Sequence, residues 1–257
     1  MAAGANVVAS PKAHVVIGGF PSTSHAGHDM DSARLRLLTA LSGAGAEATC
    51  STNFLGIEDQ LRGGIQLLIT YTAGPLPDAA QSAELERWLE GGGRWVALHG
   101  TCGGKAAKPR DGEKQRRMTR EPFHDVLGCA FLNHPPQRTI TCHTHPDGGG
   151  ASSSLLAGVP SSFDCEDEPY IVQLTVDPQD PSLHVFMTFQ CSDEEARPGG
   201  PPPANNWGSS FLYDTHPALD GPSGSTLCIG CATLAAVSLC THPHKPTCPR
   251  THPRTIL

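Results

Sequence analysis

Gly91-Gly92-Gly93-Arg94-Trp95-Val96-Ala97-Leu98-His99-Gly100-Thr101-Cys102-Gly103-Gly104 decides the reading of this chain. The short apolar run from Trp95 to Leu98 reads as a buried strand. It stops abruptly in a turn of small residues that carries His99 and Cys102. In open α/β sheets, ligands sit just beyond the carboxyl ends of the strands. Glycines there let the chain turn sharply and let a substrate approach the backbone. A histidine and a cysteine in such a turn mark it as the place to look for chemistry.

Upstream, Pro77-Asp78 opens a helix through Glu90, with Ala79, Ala83, Leu85, Trp88 and Leu89 expected on its buried side. Gly91-Gly92-Gly93 stops it. Ile65 to Tyr71 is a strong strand, and Ala13 to Ile17 is another that ends in Gly18-Gly19. The polar loop from Pro21 to Asp29 contains His25 and His28. Asp31 or Ser32 is expected to cap a helix through Leu41, with Leu35, Leu37, Leu38 and Leu41 on its apolar side. Ala46 to Cys50 reads as a strand and Ile57 to Leu61 as a short helix. Strands alternating with helices of this length predict right-handed crossovers and a mostly parallel sheet with helices on both faces. The expected class is α/β, flavodoxin-like or doubly wound.

Downstream the rhythm loosens. Glu121 to Leu127 reads as a short helix, and Arg138 to Thr144 and His184 to Phe189 as strands. Ser210 to Tyr213 and Ser225 to Ile229 are candidates to complete the sheet. A single domain over residues 13–232 is expected. The Cys/His/Pro-rich residues 233–257 have almost no core-forming pattern and are expected to be a disordered or loosely attached tail.

The net charge of −7 argues against nucleic acid or an anionic membrane as the main partner, because phosphate binding needs a basic face. The basic cluster from Lys105 to Arg120 is interrupted by Asp111 and Glu113 and reads as a solvated loop. No apolar run of roughly 18 residues is present, so no membrane span is expected. Met1 to Lys12 lacks the basic start and apolar core of a secretory signal. The 10 cysteines are scattered through a long chain, which favours free thiols and a cytoplasmic setting over a disulfide framework.

Two chemistries compete at the turn. Gly100-Thr101-Cys102-Gly103-Gly104 has the form G-x-C-x-G, the cysteine counterpart of a nucleophile elbow. Cys102 is therefore the alternative nucleophile, of a cysteine-dependent hydrolase or amidotransferase-like enzyme. No His-x-Glu pair in the last strands supplies its base. His99 is the sharper candidate, since a near-neutral pKa suits acid–base work or metal ligation. Phe163 to Tyr170 reads as an acidic turn with an aromatic, and its crowded carboxylates would repel one another unless some bind a cation, a sugar hydroxyl or donor groups.

These pieces, in this order, resemble the ThuA-like family, named for trehalose utilisation, within the class I glutamine amidotransferase-like superfold. The resemblance runs over residues 13–190. It rests on Gly18-Gly19-Phe20, Leu68 to Thr72, Leu89 to Gly93 with Val96 to Gly100, Leu127-Gly128 through Phe131 to His134-Pro135, and Asp167-Glu168-Pro169-Tyr170. It implies a flavodoxin-like domain of carbohydrate metabolism that binds trehalose, a related glycoside or another sugar derivative. His99 and Glu168 would be its catalytic pair. Phe20, Tyr71, His134 and Tyr170 would bind substrate. A pocket with histidines and a carboxylate can also hold a divalent metal such as zinc. A non-catalytic sugar-binding or interaction module remains an alternative, and homo-oligomerisation is left open.

The chain departs from the family after the Asp-Glu turn. Gly221 to Cys231 stands where a hairpin and a strand ending in Leu-Gly-His are expected, with Cys231 in place of that histidine. Cys228 and Cys231, with Cys240, His242, His244 and Cys248, can be read as a second zinc site of loose spacing, an arrangement that composition explains equally well.

Overall fold

The computed structural model describes residues 9–19, 28–107, 117–145, 156–177 and 183–189, together with the backbone of two short strands nearer the C-terminus. Four strands, β1 (Lys12–Gly18), β2 (Glu47–Ser51), β3 (Leu67–Thr72) and β4 (Arg94–Leu98), form a parallel sheet in the order β2-β1-β3-β4. Helices α1 (Met30–Gly43), α2 (Ile57–Arg62) and α3 (Ala79–Glu90) make the crossovers between them. The class expected from the alternating pattern, α/β with a parallel sheet, is the one observed.

The central strands β1 and β3 are buried on both faces while edge strand β2 is largely exposed, and the period of two sorts the core into two layers. Val16, Leu68, Trp95 and Ala97 pack with Phe54, with Ile57 and Leu61 of α2, and with Leu85 and Leu89 of α3. On the other face Ala13, Val15, Ile17 and Ile69 pack against Leu37, Leu38 and Leu41 of α1. Burial of each such aliphatic side chain contributes about 1.5–3 kcal/mol relative to exposure. The helices thus cover both faces of the sheet.

Local signals differ from the sequence expectations in instructive ways. The cap of α1 is Asp29, not Asp31 or Ser32, and its carboxylate accepts from the Ser32 backbone N–H at 2.8 Å. Leu35 points to solvent with 68% of its surface exposed, because only Leu37, Leu38 and Leu41 share the face turned to the sheet. On α3, Asp78 and Gln81 form a reciprocal capping box, and packing against the sheet and α2 turns Gln81, Ser82, Glu84, Leu85 and Leu89 inward. Ala79 and Ala83 are consequently exposed.

Beyond β4 the chain makes a 3₁₀ turn (His99–Cys102), a short hairpin of β5 (Ala106–Ala107) with β6 (Arg117–Met118), and α4 (Pro122–Leu127). Phe123, Val126 and Leu127 of α4 extend the core on the α3 side. Pairing is then antiparallel, β7 (Cys129–Asn133) with β10 (Ile171–Leu174), and β8 (Arg138–Thr144) between β9 (Ser162–Asp167) and β12 (Met187–Phe189). The acidic "turn" from Phe163 is therefore mostly strand. Strand alternation disperses its carboxylates: Asp164 and Glu166 are exposed, while Asp167 is 1% exposed. β11 (Leu183–Val185) pairs with β14 (Arg254–Ile256), which pairs with β13 (Ser238–Cys240). The other tail residues, Ser210 to Tyr213 and Ser225 to Ile229 lie outside the described residues, as does most of the basic cluster between Lys105 and Arg120. Among the described residues no helix is long and apolar enough to cross a membrane.

Candidate functional site at the carboxyl ends of the strands

The sheet grows in both directions from β1, so the crossovers leaving β1 and β3 diverge and open a crevice at their carboxyl ends. Gly19 is needed there. Its φ is +83°, and a Cβ would lie 1.9 Å from the Gly74 carbonyl oxygen of the loop after β3. That close approach brings the end of β1 against the loop after β3.

The crevice floor is His99, the first residue after β4, 2% exposed. Its φ of +49° is the only positive value at a non-glycine position among the described residues. Such a conformation costs about 1–3 kcal/mol and persists only where the surroundings enforce it. The enforcing contacts are visible. Thr101, fully buried, donates to the Thr70 carbonyl at 3.0 Å and ties the turn to β3. From the other side His124 of α4 donates through Nε2 to the Gly103 carbonyl at 2.9 Å, while its Nδ1 accepts from the Glu121 N–H.

Around His99 the fold gathers most of the residues singled out in the sequence. Tyr71 stacks on its ring with centroids 5.4 Å apart. The Tyr170 hydroxyl lies 3.1 Å from His99 Nε2, and a Glu168 carboxylate oxygen lies 3.9 Å from the same nitrogen. His134 stacks on Tyr170 at 5.6 Å and donates through Nδ1 to the Pro135 carbonyl at 2.9 Å. Phe20 lies outside the described residues.

His28 and Phe131 carried no role in the sequence reading, and Asp167 only its place in the acidic motif ahead of Tyr170. His28, just ahead of α1, places Nε2 2.6 Å from His99 Nε2. Asp167, beside Glu168, is buried and accepts from the Glu168 N–H at 2.7 Å. Phe131 of β7 backs Tyr170 with ring centroids 4.7 Å apart. The position of His28 in a polar loop after the first strand, and the motifs that hold Phe131 and Asp167, were the available signals.

Electrostatics correct one expectation. Burial, aided by the neighbouring His28 and His134 and opposed by Asp167, pushes the His99 pKa down to about 3. Its imidazole is therefore neutral at physiological pH, a hydrogen-bonding or ligating group rather than one poised near neutrality. The contact with Glu168 is accordingly a polar approach and not an ion pair. Burial also raises the Glu168 pKa, with Asp167 adding to the shift and His134 opposing it. Burial raises Tyr71 to about 12, and Tyr170 well above its usual value, so both hydroxyls stay protonated as donors.

Cys102 faces elsewhere. It is 3% exposed, belongs to the core between α3 and α4, and donates from Sγ to the His99 carbonyl at 3.3 Å. A contact with Cys129 and complete burial hold its thiol well above the usual pKa. A thiol kept protonated is a poor nucleophile. The turn after β4 is a 3₁₀ turn that exposes neither sulfur nor helix N-terminus, unlike a nucleophile elbow.

With this geometry in hand, comparison with solved structures identifies the fold. A protein of Bacteroides uniformis described as ThuA-like overlays with a TM-score of 0.51 at 19% identity, over 82% of this chain and 80% of that one. Another from Parabacteroides merdae, described in the same words, gives a TM-score of 0.45 at 13% identity, over 80% and 78% of the two chains. The fold assignment rests on the first: the chain has a ThuA-like fold. No family model matches the sequence, and no curated protein matches it.

Proposed function

We propose that this chain binds a sugar derivative, trehalose or a related glycoside of carbohydrate metabolism, at the carboxyl ends of β3 and β4 in a flavodoxin-type domain. The observation that carries the reading is the convergence of Tyr71, His99, His134 and Tyr170 around the Glu168 carboxylate. A pyranose offers an apolar ring face and a rim of hydroxyls, and specific small-molecule pockets pair apolar or aromatic walls with a few convergent polar groups. Tyr71 and Tyr170 supply wall and donor together. Glu168 is the group placed to exchange a proton with a sugar hydroxyl, and neutral His99 the partner that orients it.

The test is a thermal-shift screen of sugars and oxidised sugars, since a ligand bound to the native state raises stability by mass action. A saturable rise in Tm that is lost in Tyr71→Ala and Glu168→Gln supports the site. No rise with any saccharide, or a rise unchanged in both variants, refutes it.

A further inference from the structure

Three donor atoms from three distant segments converge in the crevice. His28 Nε2 is 2.6 Å from His99 Nε2, His99 Nε2 is 3.9 Å from Glu168 Oε2, and all three lie within 4.8 Å of one another. We infer that His28, His99 and Glu168 form a binding site for a divalent first-row transition ion of the zinc type, with a fourth position open to the pocket.

The donor set selects the ion. Two imidazole nitrogens and one carboxylate suit zinc and its neighbours, whereas magnesium and calcium take oxygen ligands. Two histidines and a glutamate with one open position is a ligand set of catalytic zinc. The spacing fits as well. Metal–ligand bonds of about 2.0–2.2 Å in a tetrahedron place neighbouring donors about 3.3–3.6 Å apart. The observed 2.6 and 3.9 Å straddle that range, so an ion among the three donors lengthens the first contact by about 0.7–1.0 Å and shortens the second by about 0.3–0.6 Å. Torsion of the side chains accommodates such shifts. The rings are also held in advance: the left-handed backbone at His99 and the stacked Tyr71 fix one ligand, and preorganisation lowers the entropic cost of binding. The Tyr170 hydroxyl, 3.1 Å from His99 Nε2, stands ready to orient an oxygen ligand at the open position.

The experiment uses the full chain, stripped with chelator and titrated with Zn²⁺ by calorimetry and with Co²⁺ by absorption. Cys228, Cys231, Cys240 and Cys248 offer competing thiolates, so a C228S/C231S/C240S/C248S variant is titrated in parallel. The expected result is one ion per chain that survives in this variant, raises Tm, and gives a Co²⁺ spectrum without thiolate charge transfer. His28→Ala and Glu168→Gln should each weaken binding by at least about 100-fold and abolish the metal-dependent rise in Tm. His28 is only half-buried and precedes α1, so its variant keeps the core intact; far-UV circular dichroism verifies folding. The inference is overturned if the tail variant binds no ion, or if affinity is unchanged in His28→Ala and Glu168→Gln. A sugar response in a chain whose tail variant binds no ion overturns this site alone; an ion bound with no sugar response overturns the sugar reading alone.

Discussion

Thr70→Val is the sharpest probe of how the sheet supports this site. Thr70 is fully buried. Its Oγ1 accepts from Trp95 Nε1 at 2.9 Å, and its carbonyl accepts from Thr101 Oγ1 at 3.0 Å. Valine keeps the shape but removes the acceptor, which strands the Trp95 indole N–H in an apolar core. A buried donor left unsatisfied costs about 1–3 kcal/mol. For a folded unit of about 150–250 residues each kcal/mol lowers Tm by about 2–4 °C, so a fall of about 2–12 °C is expected. Loss of shape alone would not do this, and a double-mutant cycle separates the two. With Trp95→Phe there is no N–H to strand, so adding Thr70→Val should be nearly neutral, and the coupling should be about 1 kcal/mol or more. Urea denaturation followed by circular dichroism measures all four proteins, with the m value unchanged if only stability moves. If Thr70→Val costs as much in the Trp95→Phe background as in the native chain, the hydrogen-bond account is wrong.

Two further outcomes follow from the same interior. Burial lowers the pKa of His124 in spite of its hydrogen bonds to the Gly103 and Cys102 carbonyls, so the unfolded chain takes up its proton more readily than the folded one. Stability is then full above about pH 6.5 and declines as pH falls through that value. Denaturation midpoints measured from about pH 7 down to pH 5 should fall, and fall less steeply in His124→Gln. Brief iodoacetamide treatment of native protein, read by mass spectrometry, should modify exposed Cys50 well before buried Cys102 and Cys129. Faster alkylation of Cys102 than of Cys50 would restore the thiol-enzyme reading.

The local code of this chain was largely legible. Apolar runs of strand length, closed by Gly18-Gly19, by the loop after Thr72 and by the turn at His99, place β1, β3 and β4 within one or two residues of where they form. Asp78 and the three glycines after Glu90 bracket α3, because capping and left-handed termination act over a single turn. Tyr71 and His99 could be placed at strand ends for the same reason, and the ordered motifs brought His134, Glu168 and Tyr170 to their neighbourhood.

What a side chain faces inside a turn is not a local property. Cys102 and His99 are three residues apart in one stretch of small residues, yet the turn sends the thiol into the core beside Cys129 and the imidazole into the crevice. The positive φ at His99 and the anchor from Thr101 to Thr70 set that outcome, and both depend on β3 and β4 lying in register. His28 and Tyr170 each meet His99 across 71 residues of sequence, a distance over which no periodicity carries information. Burial then settled the charge states, since the same imidazole that would titrate near neutrality in water is held neutral once desolvated. Local sequence dictates the strands, the helices and the strand ends at which polar side chains collect. Packing of distant segments against one another decides which of those side chains meet, and in which protonation state.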